Sequence, residues 1–293
     1  MRRREPEVDE LIRKALASQV EAMDLPERSA PLAARLRTLT PARVGLRRAG
    51  VSLATAEVLD FQLAHGRARD AVHAGLQSAS LLGTLRGLLP CCLPLAEAIS
   101  VHSKASDRQQ YLQRPDLGRI LDNASNERLV QLQSMRSAHD LAITIADGLS
   151  ALAVERHAPL LLSALFSALA DSLPDLRIGP VCIAEQGRVA IGDEVARALE
   201  AELAIVLIGE RPGLSSPDSL GAYITWKPQP GRTTDAERNC ISNIRDEGLS
   251  YSEAAGRLVY YVREARLRHT TGTTLKDPEN DDSRRKLKTG LEP

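Results

Sequence analysis

Glu210 and Arg211 are the side chains best placed to do chemistry in this chain. They stand together in Gly209-Glu-Arg-Pro-Gly213, directly after the apolar run Leu203 to Ile208. A carboxylate accepts hydrogen bonds and a guanidinium grips anions, so the pair suits ligand recognition rather than bond breaking. The alternative is a solvated turn, and the local sequence alone favours it. Cys240 is a second candidate, in Arg238-Asn-Cys-Ile-Ser-Asn-Ile244. Two nearby cations, Arg238 and Arg245, would favour a thiolate, but no histidine is close in sequence, and a small buried hydrophobe is the better expectation. His65 and His73 have no third ligand nearby and read as surface residues. His102, His139, His157 and His269 stand alone and read as surface or capping residues rather than general bases. The cysteines at 91, 92, 182 and 240 form no C-x-x-C, which points to a reducing compartment and no zinc site. No G-x-G-x-x-G, P-loop, H-E-x-x-H or G-x-S-x-G motif occurs. The residues alone therefore describe a binding domain, not a self-sufficient active site.

The elements that must position these groups follow an α/β rhythm. Leu203 to Ile208 is apolar without alternation, as expected of a strand buried on both faces, and Gly209 to Gly213 then turns the chain. Leu141–Ala146 and Ile178–Ile183 read as further buried strands, and Ala222–Trp226 as a strand at the sheet edge. Between them, Pro115 suits the first turn of a helix. Ser125 and Asp193 are candidate helix caps. A long helical stretch after Asp147-Gly148 is expected to break near Pro159. Ser250-Tyr-Ser-Glu253 is a capping box opening a helix with Ala254, Leu258, Val262 and Ala265 on one face. Helices alternating with strands imply right-handed crossovers and a mainly parallel sheet. The fold class is thus α/β: a helical N-terminal domain, then a Rossmann-like, mainly parallel sheet with helices on both faces.

The organisation expected is an amphipathic helix within residues 1–25, a linker over 26–35, a helical domain over 36–103, an α/β domain over 104–270 and a disordered tail over 271–293. Val8, Leu11, Ile12, Ala15, Leu16 and Val20 form the stripe of the first helix. A helix starting near Ser52 or Thr55 belongs to the second domain, and the apolar run Leu81 to Leu95, holding Cys91-Cys92, reads as buried packing. With 38 basic and 38 acidic residues among 293, no net charge draws the chain to nucleic acid. No apolar run reaches transmembrane length, and acidic residues follow Arg2-Arg3-Arg4 where a secretion signal would be apolar, so a cytoplasmic protein is expected.

Ser106-Asp-Arg108, Tyr111-Leu-Gln-Arg-Pro-Asp116-Leu-Gly-Arg119, Asp147-Gly-Leu-Ser-Ala151, Gly209-Glu-Arg-Pro-Gly-Leu214 and Cys240-Ile-Ser-Asn-Ile244 occur in that order. Together they resemble the small subunit of ethanolamine ammonia-lyase, over about Leu39 to Arg268. Agreement is poor from Leu82 to Ile99. The resemblance implies a large subunit partner, a (β/α)8 barrel that holds ethanolamine, in a hetero-oligomer. It implies adenosylcobalamin shared between the two subunits, and radical conversion of ethanolamine to acetaldehyde and ammonia. Cobalamin contacts carry over to Val189, Glu210 and Cys240, within the α/β domain over 104–270. None of the six histidines has Asp two residues before it, so the D-x-H-x-x-G motif of base-off cobalamin folds is absent and base-on binding is implied. The stripe of the helix from Glu7 to Val20 either packs back on the body of the chain or is buried against a partner; the helix resembles targeting helices of bacterial microcompartment cargo, implying residence in such a shell. Two rival classes are a stand-alone α/β metabolite- or nucleotide-binding regulator, which lacks a phosphate-binding glycine loop, and an independent cysteine-dependent enzyme, which would turn over alone.

Overall fold

The structure is a computed structural model describing residues 32–40, 42–92, 98–134 and 138–276. The helix expected over residues 7–20, its linker and the tail beyond Lys276 lie outside the described residues. The chain divides into two compact units, residues 1–64 and 65–293. In the first, helix α1 (Leu32–Leu39) is followed by a short antiparallel hairpin of β1 (Arg48–Ala49) and β2 (Ser52–Leu53). The buried Glu57 carboxylate accepts from Arg47 Nε at 2.9 Å and Arg37 Nη2 at 3.5 Å, tying these pieces to the start of α2 (Thr55–His73).

The second unit is built on a six-stranded mixed sheet. Its elements run α3 (Ser78–Cys92), β3 (Ala98–His102), α4 (Arg108–Gln113), α5 (Asn123–Ser134), β4 (Leu141–Ala146), α6 (Ala151–Ser172), β5 (Ile178–Glu185), α7 (Ile191–Ala198), β6 (Leu203–Gly209), β7 (Leu220–Trp226), β8 (Arg238–Ile244) and α8 (Tyr251–Arg268). The strand order is β3-β5-β4-β6-β7-β8; the first four are mutually parallel, and β7 and β8 are joined antiparallel. Leu141, Ile143, Ile145, Leu203, Ile205 and Leu207 face one side with α3, α6 and α8. Ala142, Ala146, Ala204, Val206 and Ile208 face the other with α5 and α7. That alternation explains the run without polar breaks: each face of β4 and β6 is covered by helices.

Several local expectations are corrected. Pro115 opens no α-helix, because α4 ends at Gln113 and only a 3-10 turn, Leu117–Arg119, follows. Ser125 sits inside α5: its amide donates to Asp122 Oδ1 at 2.7 Å, and its hydroxyl accepts from the His102 amide at 2.9 Å, fastening β3. Pro159 does not break α6. The proline forfeits one amide bond, but Ala158, Leu161, Leu162 and Leu165 around it are fully buried, and that packing holds the helix continuous. By length and composition α6 could cross a membrane, contrary to the expectation from sequence; here its apolar side forms the core on the sheet. Asp193 lies inside α7 as a buried ion-pair partner and does not cap it. Finally, β7 is interior, and the edge on its side of the sheet is β8, which no apolar alternation announced. Ser250 does cap α8, accepting from the Glu253 amide at 3.3 Å.

Candidate functional site

In a parallel sheet the ligand crevice lies beyond the carboxyl ends of strands whose connections leave in opposite directions. Here β4 is followed by β5 on one side, and β5 by β6 on the other, so the switch falls between β4 and β6. The two strand ends are closely joined. Leu149 N–H donates to Gly209 O at 2.9 Å. A Cβ on Gly209 would sit 2.6 Å from Asp147 O and still closer to Ser150 O, so only glycine allows this approach.

Asp147 ends β4 fully buried. Its Oδ1 accepts from the Gly187 amide at 2.9 Å, and its Oδ2 from Arg108 Nη1 at 3.2 Å. Burial pushes the carboxyl up to about 6, against the lowering effect of Arg108 and the surrounding amides. Tyr111 completes this support: its hydroxyl donates to Gly187 O at 3.1 Å, and the guanidinium groups of Arg108 and Arg188 lie over its ring, 4.8 and 4.3 Å from the ring centre. Arg188 N–H donates to Gly118 O at 2.7 Å. These bonds fix the segment from Gly187 to Arg188, and so fix Val189. Val189 is half-buried against the α7 side of the sheet, with α7 starting two residues later.

Glu210 lies at the end of β6. Its amide donates to Ser219 O at 2.9 Å, closing the loop that returns into β7. Its carboxylate Oε2 accepts from the Ser219 hydroxyl and, at 3.2 Å, from the Asn243 amide. Arg211 supplies no side-chain bond to Glu210 among the described residues, which removes the ion-pair reading of the turn.

Cys240 is exposed, correcting the expectation of a buried hydrophobe; its Sγ lies 3.3 Å from Ser242 Oγ. The two cations thought to flank it are engaged elsewhere. Arg238 makes a bidentate pair with Asp193, at 2.7 and 2.6 Å, and Arg245 bonds Asn243 Oδ1 at 2.9 Å. Cys240 pairs with Tyr223, and Tyr223 in turn with Val206, a residue of the α7 side. Burial first, then the Cys240 thiol and the charge of Glu210, push the Tyr223 hydroxyl above its usual range. Val189, Glu210 and Cys240 are therefore brought to one side of the sheet, the side that carries α7.

Sequence reasoning missed Ser219, Tyr223, Asn243 and the Asp193–Arg238 pair. Only Asn243 carried a usable signal. It adopts φ +61°, a left-handed conformation that asparagine tolerates better than most residues. Among the described residues no cluster of His, Cys, Asp and Glu could hold a metal ion. Two of the lone histidines, His139 and His157, are buried rather than at the surface, whereas His269 does cap α8.

A family model described as Ethanolamine ammonia-lyase light chain (EutC) matches residues 31–276. Among similar proteins, the ethanolamine ammonia-lyase small subunit of Xanthomonas campestris pv. campestris (strain B100) is 54% identical over 250 residues, covering 83% of this chain and 87% of the relative. That of Pseudomonas aeruginosa (strain LESB58) is 52% identical over 244 residues, with 83% and 86% covered. That of Pseudomonas putida (strain F1) is 53% identical over 258 residues, with 85% and 90% covered. The ordered motifs, the α/β sheet and these matches along most of its length agree: the chain belongs to the ethanolamine ammonia-lyase light-chain family and is a small subunit of that lyase.

Proposed function

We propose that this subunit closes over adenosylcobalamin in a hetero-oligomer with the large subunit, using Val189, Glu210 and Cys240, and that the parallel half of its sheet serves as a Rossmann-like platform for the base-on cofactor. The observation that carries the reading is the convergence of these three residues on the α7 side of the sheet, with Glu210 Oε1 accepting no hydrogen bond among the described residues. The donor set suits a corrin: its rim bears primary amides, neutral donors that a lone carboxylate oxygen accepts. A half-buried valine and an exposed thiol on the same side of the sheet offer apolar, soft contact. Gly221 leaves room as well, since a Cβ there would meet Glu210 Oε1 at 3.0 Å. When bound, adenosylcobalamin supplies the radical that attacks substrate. The chain's own part is to bind, orient and exclude water.

The test is adenosylcobalamin titration and ethanolamine turnover with and without co-expressed large subunit. The small subunit alone is expected to make no acetaldehyde; turnover by it alone overturns the reading. In the complex, Glu210→Ala removes a charged acceptor, a loss of about 1.5–3 kcal/mol, or on the order of 10- to 150-fold in cofactor affinity. Glu210→Gln keeps one acceptor and is the milder change. The helix expected from the sequence over residues 7–20, outside the described residues, serves in this proposal as an address to a microcompartment shell. A reporter carrying residues 1–25 then gathers into foci in cells that make shells, and a diffuse reporter refutes it.

A further inference from the structure

Resting on that reading, we infer that Ser219 is a positioning residue for the cofactor contact: it ties up Glu210 Oε2 so that Oε1 alone is presented to a primary amide of the ligand.

The arrangement is built from three sides. Ser219 is 5% exposed, and its hydroxyl donates to Oε2. The Asn243 amide donates to the same oxygen at 3.2 Å. Asn243 is itself fixed, by Arg245 Nε on its Oδ1 at 2.9 Å and by Leu249 N–H on its carbonyl at 2.8 Å. The return limb of the loop is fastened to α6. Ser150 Oγ donates to Pro217 O at 2.9 Å, and Asp218 Oδ2 receives Arg156 Nη1 at 2.7 Å. His157 Nε2 stands 3.6 Å from the same carboxylate oxygen. Ser219 thus follows a segment that cannot drift, while Glu210 follows a strand buried on both faces. An exposed glutamate would sample several rotamers and lose that freedom on binding; this one is already held, which lowers the entropy lost when ligand arrives.

The experiment compares wild type, Ser219→Ala, Gly221→Ala, Glu210→Ala and the Ser219→Ala/Glu210→Ala double variant in the reconstituted large–small complex. Adenosylcobalamin binding is read by equilibrium dialysis, KM for the cofactor and kcat for ethanolamine by assay, and folding by thermal melting. Ser219→Ala is expected to weaken binding roughly tenfold, raising the cofactor KM with kcat unchanged. In the Glu210→Ala background the same change is expected to be silent. Gly221→Ala crowds Oε1 itself and is expected to weaken binding with Ser219 intact, which keeps the test open if Ser219→Ala folds poorly. Equal weakening by Ser219→Ala in both backgrounds overturns the inference. So does unchanged binding in Ser219→Ala while Glu210→Ala binds weakly, an outcome that leaves the cofactor reading standing. Unchanged binding in Glu210→Ala overturns both.

Discussion

Asp193→Ala is expected to destabilise the subunit by about 3–5 kcal/mol, the loss that follows when one partner of a buried ion pair is removed. For a domain of this size that lowers the melting temperature by roughly 10 °C. The pair is buried at both ends, with side chains 2% and 1% exposed for Arg238 and Asp193. Removing the carboxylate leaves the buried guanidinium with Thr225 Oγ1 at 2.9 Å and the more distant, exposed Asp235 carboxylate, whose Oδ1 lies 3.8 Å from Nε. The consequence reaches the site. Asp193 is in α7, four residues after Val189, and Arg238 is in β8, two residues before Cys240. Loosening this tie frees two of the three proposed contacts together, so cofactor affinity should fall with stability. Pairing Asp193→Ala with Arg238→Met removes the stranded charge and should recover much of the loss. A melting temperature unchanged in Asp193→Ala, measured by circular dichroism, would show that the pair contributes little.

Gly209→Ala is expected to do comparable damage by a different route. The added Cβ runs into the carbonyl oxygens of Ser150 and Asp147, backbone atoms that cannot rotate away. Relief requires the ends of β4 and β6 to separate, with loss of the Leu149–Gly209 bond and displacement of Glu210. Overpacking ordinarily costs about 1–3 kcal/mol where side chains can yield. Against backbone the expectation is the upper end or beyond, seen as a lower melting temperature and less soluble complex. An alanine variant with wild-type melting would mean that the two loops part easily.

The central strands were legible because burial on both faces leaves an uninterrupted apolar run, as in Leu203–Gly209 and Leu141–Ala146. The β8 strand was not, since Arg238 and Asn239 are buried by ion pairing and side-chain hydrogen bonds rather than by being apolar. Overlooking it made β7 look like an edge. Caps misled for a related reason: the carboxylate of Asp193 and the hydroxyl of Ser125 suit a helix start, but both are spent on partners distant in sequence. Of the site, Glu210 could be read from the turn that ends a buried strand. Ser219 and Asn243 could not, because what brings them to Glu210 is strand pairing, Gly209 with Leu220 and Leu220 with Ile244.

The position of β8 at the sheet margin bears on how this chain survives before it meets a partner. A bare edge strand is a template for another chain, and newly made subunits at high local concentration are exposed to that hazard. Asn239 answers it at one end: its Nδ2 donates to Gly272 O at 3.2 Å and Leu275 O at 2.7 Å, and its Oδ1 receives the Gly272 amide at 2.7 Å. A parallel bridge from Ile244 to Leu249 covers the other end. Among the described residues, the short run Cys240–Ser242 between them is what stays open. On this side of the sheet, the margin that could template another chain is thereby cut short.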